Sequence, residues 1–303
     1  MDNRIKLKAY SAGVMFAILA GFSFLAVRVS VQIALPIEIL VFRFNFSFIM
    51  VCIVAMIFKF GRLNVHGKKK ALFCAALFYV LFMVFQTSGL VFSTSVESAI
   101  IFSIIPIFAK IIAKLILNET STWKQNAFVG MSVGAVIYML IMSAGDVTVS
   151  LFGITLLLIS SACLASSNVL MRYVRKDHDQ FSVSFAISLF GFVVFNAGYI
   201  AYLIATHGSI VTYFAPLENV EFVMATAYLG IPCTAVTMWL MGYMLKHMEA
   251  IRAVIFGNLS TAISIVVGTL ILREPLAFYN IICTVLIICG VIGVSLTAKK
   301  EGI

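Results

Sequence analysis

Leu115-Ile116-Leu117-Asn118-Glu119-Thr120 and Leu270-Ile271-Leu272-Arg273-Glu274-Pro275 read alike, 155 residues apart in a chain of 303. In each, an apolar run ends at a turn that carries a glutamate, and a second apolar run begins. Upstream, Ile100-Ile101-Phe102 matches Val254-Ile255-Phe256 at a spacing of 154. The chain therefore reads as a tandem repeat with a period of about half its length.

The runs beside these turns set the solvent. A membrane-crossing helix needs ~20 apolar residues. Ten windows qualify: Ala9–Val29, Pro36–Phe58, Ala71–Phe92, Ser95–Leu117 and Lys124–Met142, then Leu151–Met171, Phe181–Ala205, Phe222–Leu245, Ile251–Leu272 and Leu276–Thr297. The longest polar connection is His207–Glu221. Halves 1–145 and 146–303 then hold five spans each. An odd number of spans makes the second half insert upside down relative to the first. The expected fold is an all-α membrane protein of ten transmembrane helices, two inverted five-helix repeats around a central cavity. Repeats of that kind place a substrate near the midplane, between the halves.

Composition agrees. Hydrophobic residues are 62% of the chain and charged residues 11%, against ~45–50% and ~25% in globular proteins. A soluble fold would lack the polar surface to cover itself. The net charge of +9 raises nucleic acid as a partner, but the charge is in the wrong places. Arg4, Lys6, Lys8, Lys68, Lys69, Lys70, Lys299 and Lys300 flank apolar runs, and no basic stripe forms. The expected partners are membrane lipid and a small-molecule substrate, with no nucleic acid.

Lys and Arg also set orientation. The N-terminus, the Lys59–Lys70 loop, the Lys124 turn, the Arg172–Lys176 loop, the Lys246–Arg252 turn and the C-terminus fall on one side. Ser93–Ser95, Ser143–Ser150 and His207–Glu221, on the other, hold no Lys or Arg. The reading is a multi-pass protein of the cell membrane with both termini cytoplasmic. The first apolar run, from Ala9 to about Val27, is longer than the ~7–15 residues of a signal peptide core and reads as a retained span. The six cysteines stand singly in apolar runs without CxxC or Cys/His spacing. No metal or cofactor is expected.

These features resemble the drug/metabolite transporter superfamily of the EamA type, across essentially the whole chain. Leu272-Arg273-Glu274-Pro275-Leu276, followed by Gly290 and Gly293, is similar to the turn and last helix of an EamA repeat. Leu117-Asn118-Glu119-Thr120, with Gly130 and Gly134, is a looser copy that lacks the usual Gly or Pro. Ala20-Gly21-Phe22-Ser23-Phe24 with Arg28 resembles the opening helix. Pro36 and Arg43-Phe44 resemble the second helix, and Ile105-Pro106-Ile107 the fourth. The resemblance implies a secondary transporter, exporting in much of the family, whose helices 1, 3, 4, 6, 8 and 9 surround the cavity. It does not supply a substrate.

Polar residues inside the spans are the candidates for function. Ser103, Ile107, Lys110 and Lys114 share one face of the fourth span at steps of 4, 3 and 4. The same face of the ninth span is Gly257, Thr261, Ser264 and Gly268, with Asn258 beside it. Such faces either line a pathway or pack helices closely. Lys110 is deep enough to be a functional ion or to snorkel to the interface. In register it would face Ser264. Arg43 reads as a structural or gating residue, with Glu38 a poorly placed partner. Ser23, Ser167 and Asn168 are polar in the first and sixth spans. Tyr79, Phe82 and Gln86 in the third, at steps of 3 and 4, and Trp239 and Tyr243 in the eighth, form stripes that either pack or line a cavity. Pro106 and Pro232, the latter after Gly230, should kink their helices. Gly130-x-x-x-Gly134 reads as helix packing. Glu119 and Glu274 read as carboxylates at the starts of the fifth and tenth helices, where the macrodipole favours them.

No acidic residue lies mid-span, so a bare cation is a poor substrate. The deep charges are positive, which favours an amino acid or a related zwitterionic or anionic metabolite. Efflux of hydrophobic or cationic drugs, or uptake by the same fold, remain open. No HExxH, GxSxG or paired intramembrane Asp is present, so an intramembrane enzyme is disfavoured. A ten-span repeat without soluble modules also argues against a receptor.

Overall fold

The computed structural model describes residues 3–57, 69–117, 122–143, 150–174, 180–247, 250–274 and 276–297. Every regular element among them is helical: α1 (Asn3–Ile33), α2 (Pro36–Ile57), α3 (Lys69–Val91), α4 (Ser95–Phe102), α5 (Ile105–Leu117), α6 (Trp123–Ser143), α7 (Leu151–Val174), α8 (Gln180–Ala205), α9 (Ile210–Phe214), α10 (Val220–Gly230), α11 (Thr237–His247), α12 (Ala250–Ile271) and α13 (Phe278–Leu296). A 3₁₀ turn, Ala215–Glu218, follows α9, and a π-helical segment, Ile231–Val236, joins α10 to α11. Helices satisfy their own backbone groups, which lipid cannot do.

Seven helical stretches among the described residues are long and apolar enough to cross a membrane. They are Leu7–Ile33, Pro36–Ile57, Lys69–Val91, Ser95–Leu115, Leu151–Val174, Phe181–Ala205 and Val220–Met241. The fifth, ninth and tenth windows form α6, α12 and α13 but are not among these seven.

The two interruptions fall at the prolines. Pro106 lacks an N–H, and its ring crowds the carbonyl four residues back, at Phe102. There α4 ends. Ser103 and Ile104 turn, with Ile107 N–H bonding the Ile104 carbonyl at 2.9 Å, and α5 follows. At Pro232 the helix widens instead of breaking. The Thr234 hydroxyl donates to the Leu229 carbonyl, five residues back, at 2.8 Å.

The main packing pairs are α3 with α7, α6 with α13, α1 with α12 and α2 with α8. Around them α1 meets α10 and α11, α7 meets α4 and α5, α4 meets α12, and α10 meets α2. Hydroxyls bridge the pairs. Ser160 and Ser167 on α7 donate to the Phe82 and Ala75 carbonyls of α3 at 2.9 and 2.8 Å. Ser264 on α12 donates to the Gly21 carbonyl of α1 at 2.8 Å. A side chain at Gly21 would strike Ile263, so the glycine permits that approach.

Two expectations change here. A Cβ at Gly130 or Gly134 would meet nothing within 4 Å, so this pair does not pack α6 within the chain. The close approach comes from the other helix, where Gly290 and Gly293 of α13 lie against Ser132 and Phe128 of α6. The polar connection His207–Glu221 also contains α9, whose Ile210 and Val211 are exposed.

Candidate functional site

A chain of buried aromatic rings links α1, α4, α3, α2 and α8. Phe24 of α1 meets Phe102 of α4 at 5.2 Å between centroids, and Phe102 meets Phe82 of α3 at 6.0 Å. Phe82 then meets Tyr79 at 5.5 Å, Tyr79 meets Phe44 of α2 at 6.4 Å, and Phe44 meets Phe195 of α8 at 5.0 Å. The sequence signal was the 79–82–86 stripe, which a helix places on one face. Gln86, one turn beyond Phe82, is buried and its Oε1 has no hydrogen-bond partner among the described residues. A buried acceptor left unpaired costs about 1–3 kcal/mol.

Arg43 stands beside Tyr79 at only 4% exposure. Its Nε donates to Thr234 Oγ1 in the π-helical segment at 3.2 Å, and Cys233 is a further electrostatic neighbour. Among the described residues no carboxylate pairs with it. Glu38 is not its partner. One Glu38 oxygen accepts from Tyr199 at 2.9 Å and the other from the Leu35 N–H at 2.9 Å, which caps α2. Gly230 brings α10 against α2: a Cβ there would lie 2.5 Å from the Arg43 carbonyl oxygen. The π segment therefore sits where the backbone approaches the buried cation, a common place for such irregularities.

Lys110 projects from α5 with its Nζ buried and without a hydrogen-bond partner among the described residues. The expected seam with Ser264 does not form. The fourth span meets the ninth through α4 and α12, but α5, which carries Lys110, packs on α7. Ser264 is spent on Gly21, Ser167 on Ala75, and Ser103 on its own Ile100 carbonyl at 2.5 Å. Ser23 bonds Ala20 at 2.6 Å within α1, and Thr261 is buried. Asn168 is exposed, and Trp239 is 64% exposed. Tyr243 packs beside Ala12, Met244 and Phe256. The Asn258 side chain and Glu119 lie outside the described residues.

The partners in two polar groups escaped the sequence reading. Asn45 of α2, Asn196 of α8 and Tyr213 of α9 form a triangle. Asn196 Nδ2 donates to Asn45 Oδ1 at 2.7 Å, Asn45 Nδ2 to the Tyr213 hydroxyl at 3.1 Å, and that hydroxyl to Asn196 Oδ1 at 2.5 Å. Single asparagines inside spans 2 and 7 were the available signal. The second group is at the ends of α4 and α12. Glu274 does not serve the tenth helix that follows it. Its carboxylate accepts from Ser95 N–H, the Ser95 hydroxyl and Val96 N–H at 2.9, 2.6 and 3.0 Å, capping α4. Arg28 Nε lies 3.9 Å away, and Arg28 Nη1 donates to the Leu90 carbonyl at 2.7 Å.

Among the described residues no group of three or more His, Cys, Asp or Glu could hold a metal. The constellation suits binding and movement, with buried cations, unpaired polar atoms and interrupted helices.

The EamA-like transporter family pattern matches twice, at residues 7–141 and 151–296. The chain is 35% identical over 299 residues to the "Uncharacterized transporter YcxC" of Bacillus subtilis (strain 168), covering 97% of this chain and 94% of that one. A crystal structure at 14% identity superposes with a TM-score of 0.68, covering 97% of this chain and 99% of its own, and so shares the fold.

Proposed function

Because the chain belongs to the EamA-like transporter family, we propose that this multi-pass membrane transporter exports a small organic solute across the cell membrane by alternating access. The solute class is an amino acid or a related zwitterionic or anionic metabolite. Ten spans, in inverted halves 1–145 and 146–303 with both termini cytoplasmic, carry it.

The packing pattern supports the inverted halves. Exchanging each span with its counterpart five spans on maps the main packing pairs onto one another. The contact of α1 with α12 becomes that of α7 with α4 and α5. The contact of α3 with α7 becomes that of α10 and α11 with α1. The pairs α2 with α8 and α6 with α13 map onto themselves. A twofold relation between halves gives two equivalent tilts, which is what alternating access needs.

The observation that carries the solute class is the sign of the deep charge. Arg43 is buried with a neutral partner and Lys110 Nζ has none among the described residues. Buried cations without counter-ions favour an anionic ligand group. The line of rings from Phe24 to Phe195 favours a second reading, hydrophobic or cationic drugs. Purified protein in liposomes, offered amino acids, carboxylates and cationic dyes with and without a pH gradient, separates them. Loss of a charged hydrogen bond of about 1.5–3 kcal/mol makes Lys110→Ala ~10- to 100-fold slower for an anionic solute. Wild-type rates in Lys110→Ala would remove that class, and dye transport alone would favour the second.

A further inference from the structure

We propose that Glu274 is a latch that closes this end of the molecule across its two halves, and that transport requires its release. The inference rests on the transport reading above, whose halves it joins.

Glu274 belongs to the second half, and the helix it caps belongs to the first. The first N–H groups of α4 have no partner inside the helix. Glu274 takes two of them, together with the Ser95 hydroxyl. The α4 dipole adds to the attraction for the carboxylate. Thr94 and Glu97 form a capping box at the same helix start: Thr94 N–H bonds Glu97 at 2.9 Å and Glu97 N–H bonds Thr94 at 3.1 Å. The α4 start is thus served once by its own residues and once from across the halves.

The α12–α13 turn is shaped to deliver the carboxylate. Arg273 takes a left-handed φ of 54°, a conformation that disfavours side chains other than glycine. Glu274 N–H returns to the Gly268 carbonyl at 3.2 Å. A Cβ at Gly268 would collide with the Ser95 hydroxyl and lie 2.9 Å from Glu274 Oε2, so the glycine leaves the space that the contact fills. Arg28 then joins the carboxylate to the α3 end through Leu90. At 8% exposure the group is shielded, and charge-assisted bonds in such a place are roughly twice as strong as neutral ones. The same contacts are separable as a set, because one carboxylate makes them all. Withdrawing it removes the polar ties between α4 and the α12–α13 turn, leaves only apolar packing of α4 on α12, and breaks neither helix.

The test is a distance between spin labels at Phe92→Cys and Leu270→Cys, both exposed in the folded chain, with the native cysteines replaced and the protein in lipid nanodiscs. Glu274→Gln keeps the volume and removes the charge. It should add a population longer by about 5 Å, the scale of one element passing another. Ser95→Ala, which removes one of the three bonds, should add a smaller one. Glu38→Gln alters a carboxylate that caps α2 and accepts from Tyr199 of α8, contacts that involve neither α4 nor α12, and should leave the distances unchanged. A Glu274→Gln distribution identical to wild type overturns the latch. So does a Glu38→Gln distribution that matches Glu274→Gln. If Glu274→Gln does not fold, Ser95→Ala decides, and unchanged distances in it overturn the latch. The distances need no solute. Failure of every solute in liposomes would therefore sink the transport reading and leave the latch to be judged separately.

Discussion

Glycines in the spans look interchangeable until their neighbours are known. At Gly230 a Cβ would lie 2.5 Å from the Arg43 carbonyl oxygen, and backbone cannot swing aside. Gly230→Ala should cost about 1–3 kcal/mol through overpacking, seen as a lower midpoint of thermal unfolding in detergent. Gly130→Ala and Gly134→Ala meet open space. They should be neutral or stabilising by up to about 1 kcal/mol, because alanine is the better helix former. A Gly130→Ala loss as large as that of Gly230→Ala would contradict this assignment. The GxxxG spacing in α6 was plain in the sequence. Its partner was not, because spacing identifies a small-residue face without saying what lies opposite. Glu274 teaches the same lesson. Its place before a helix was legible, but the helix it caps is 179 residues away in sequence.

Among elements, the two prolines were legible as interruptions and differ in outcome. At Pro106 the helix breaks and turns. At Pro232 it widens, because Thr234 bonds both the Leu229 carbonyl and Arg43. Long-range partners select the π form, and no local pattern encodes them. The expected Lys110–Ser264 pairing is absent: Ser264 bonds the Gly21 carbonyl of α1, and α5 packs on α7 while α12 packs on α1 and α4, neighbours that helical register alone does not encode. Thr234→Val keeps the shape and removes the hydroxyl, leaving Arg43 Nε without its acceptor. The expected loss is about 1–3 kcal/mol in thermal or denaturant unfolding. Thr234→Ser, which keeps the oxygen, should recover most of it. Equal losses in both variants would show that the methyl group matters and the bond to Arg43 does not.

At the scale of the whole molecule, parity ties the span count to orientation. In the proposed arrangement each span reverses the side on which the chain emerges, so five per half would invert the second copy and ten would return the C-terminus to the side of the N-terminus. Lys and Arg favour the cytoplasmic side, and the loops at 93–95, 143–150 and 207–221 hold none. Alkaline phosphatase reports the side directly, because its disulfides form only in an oxidising compartment. Fusions after Met142 and after Ala205 should be active. Fusions after Val174 and after Leu296 should be inactive, while a fluorescent protein after Leu296 should glow. The fusion after Val174 carries the most weight. Among the described residues α7 is the one helix between Met142 and Val174 after α6 ends, so opposite signals there fix one crossing in the middle of the chain, where the proposed halves meet. Active phosphatase after Leu296 with the other three as expected would mean an odd number of spans, and the second half could not then be the five-span inverse of the first.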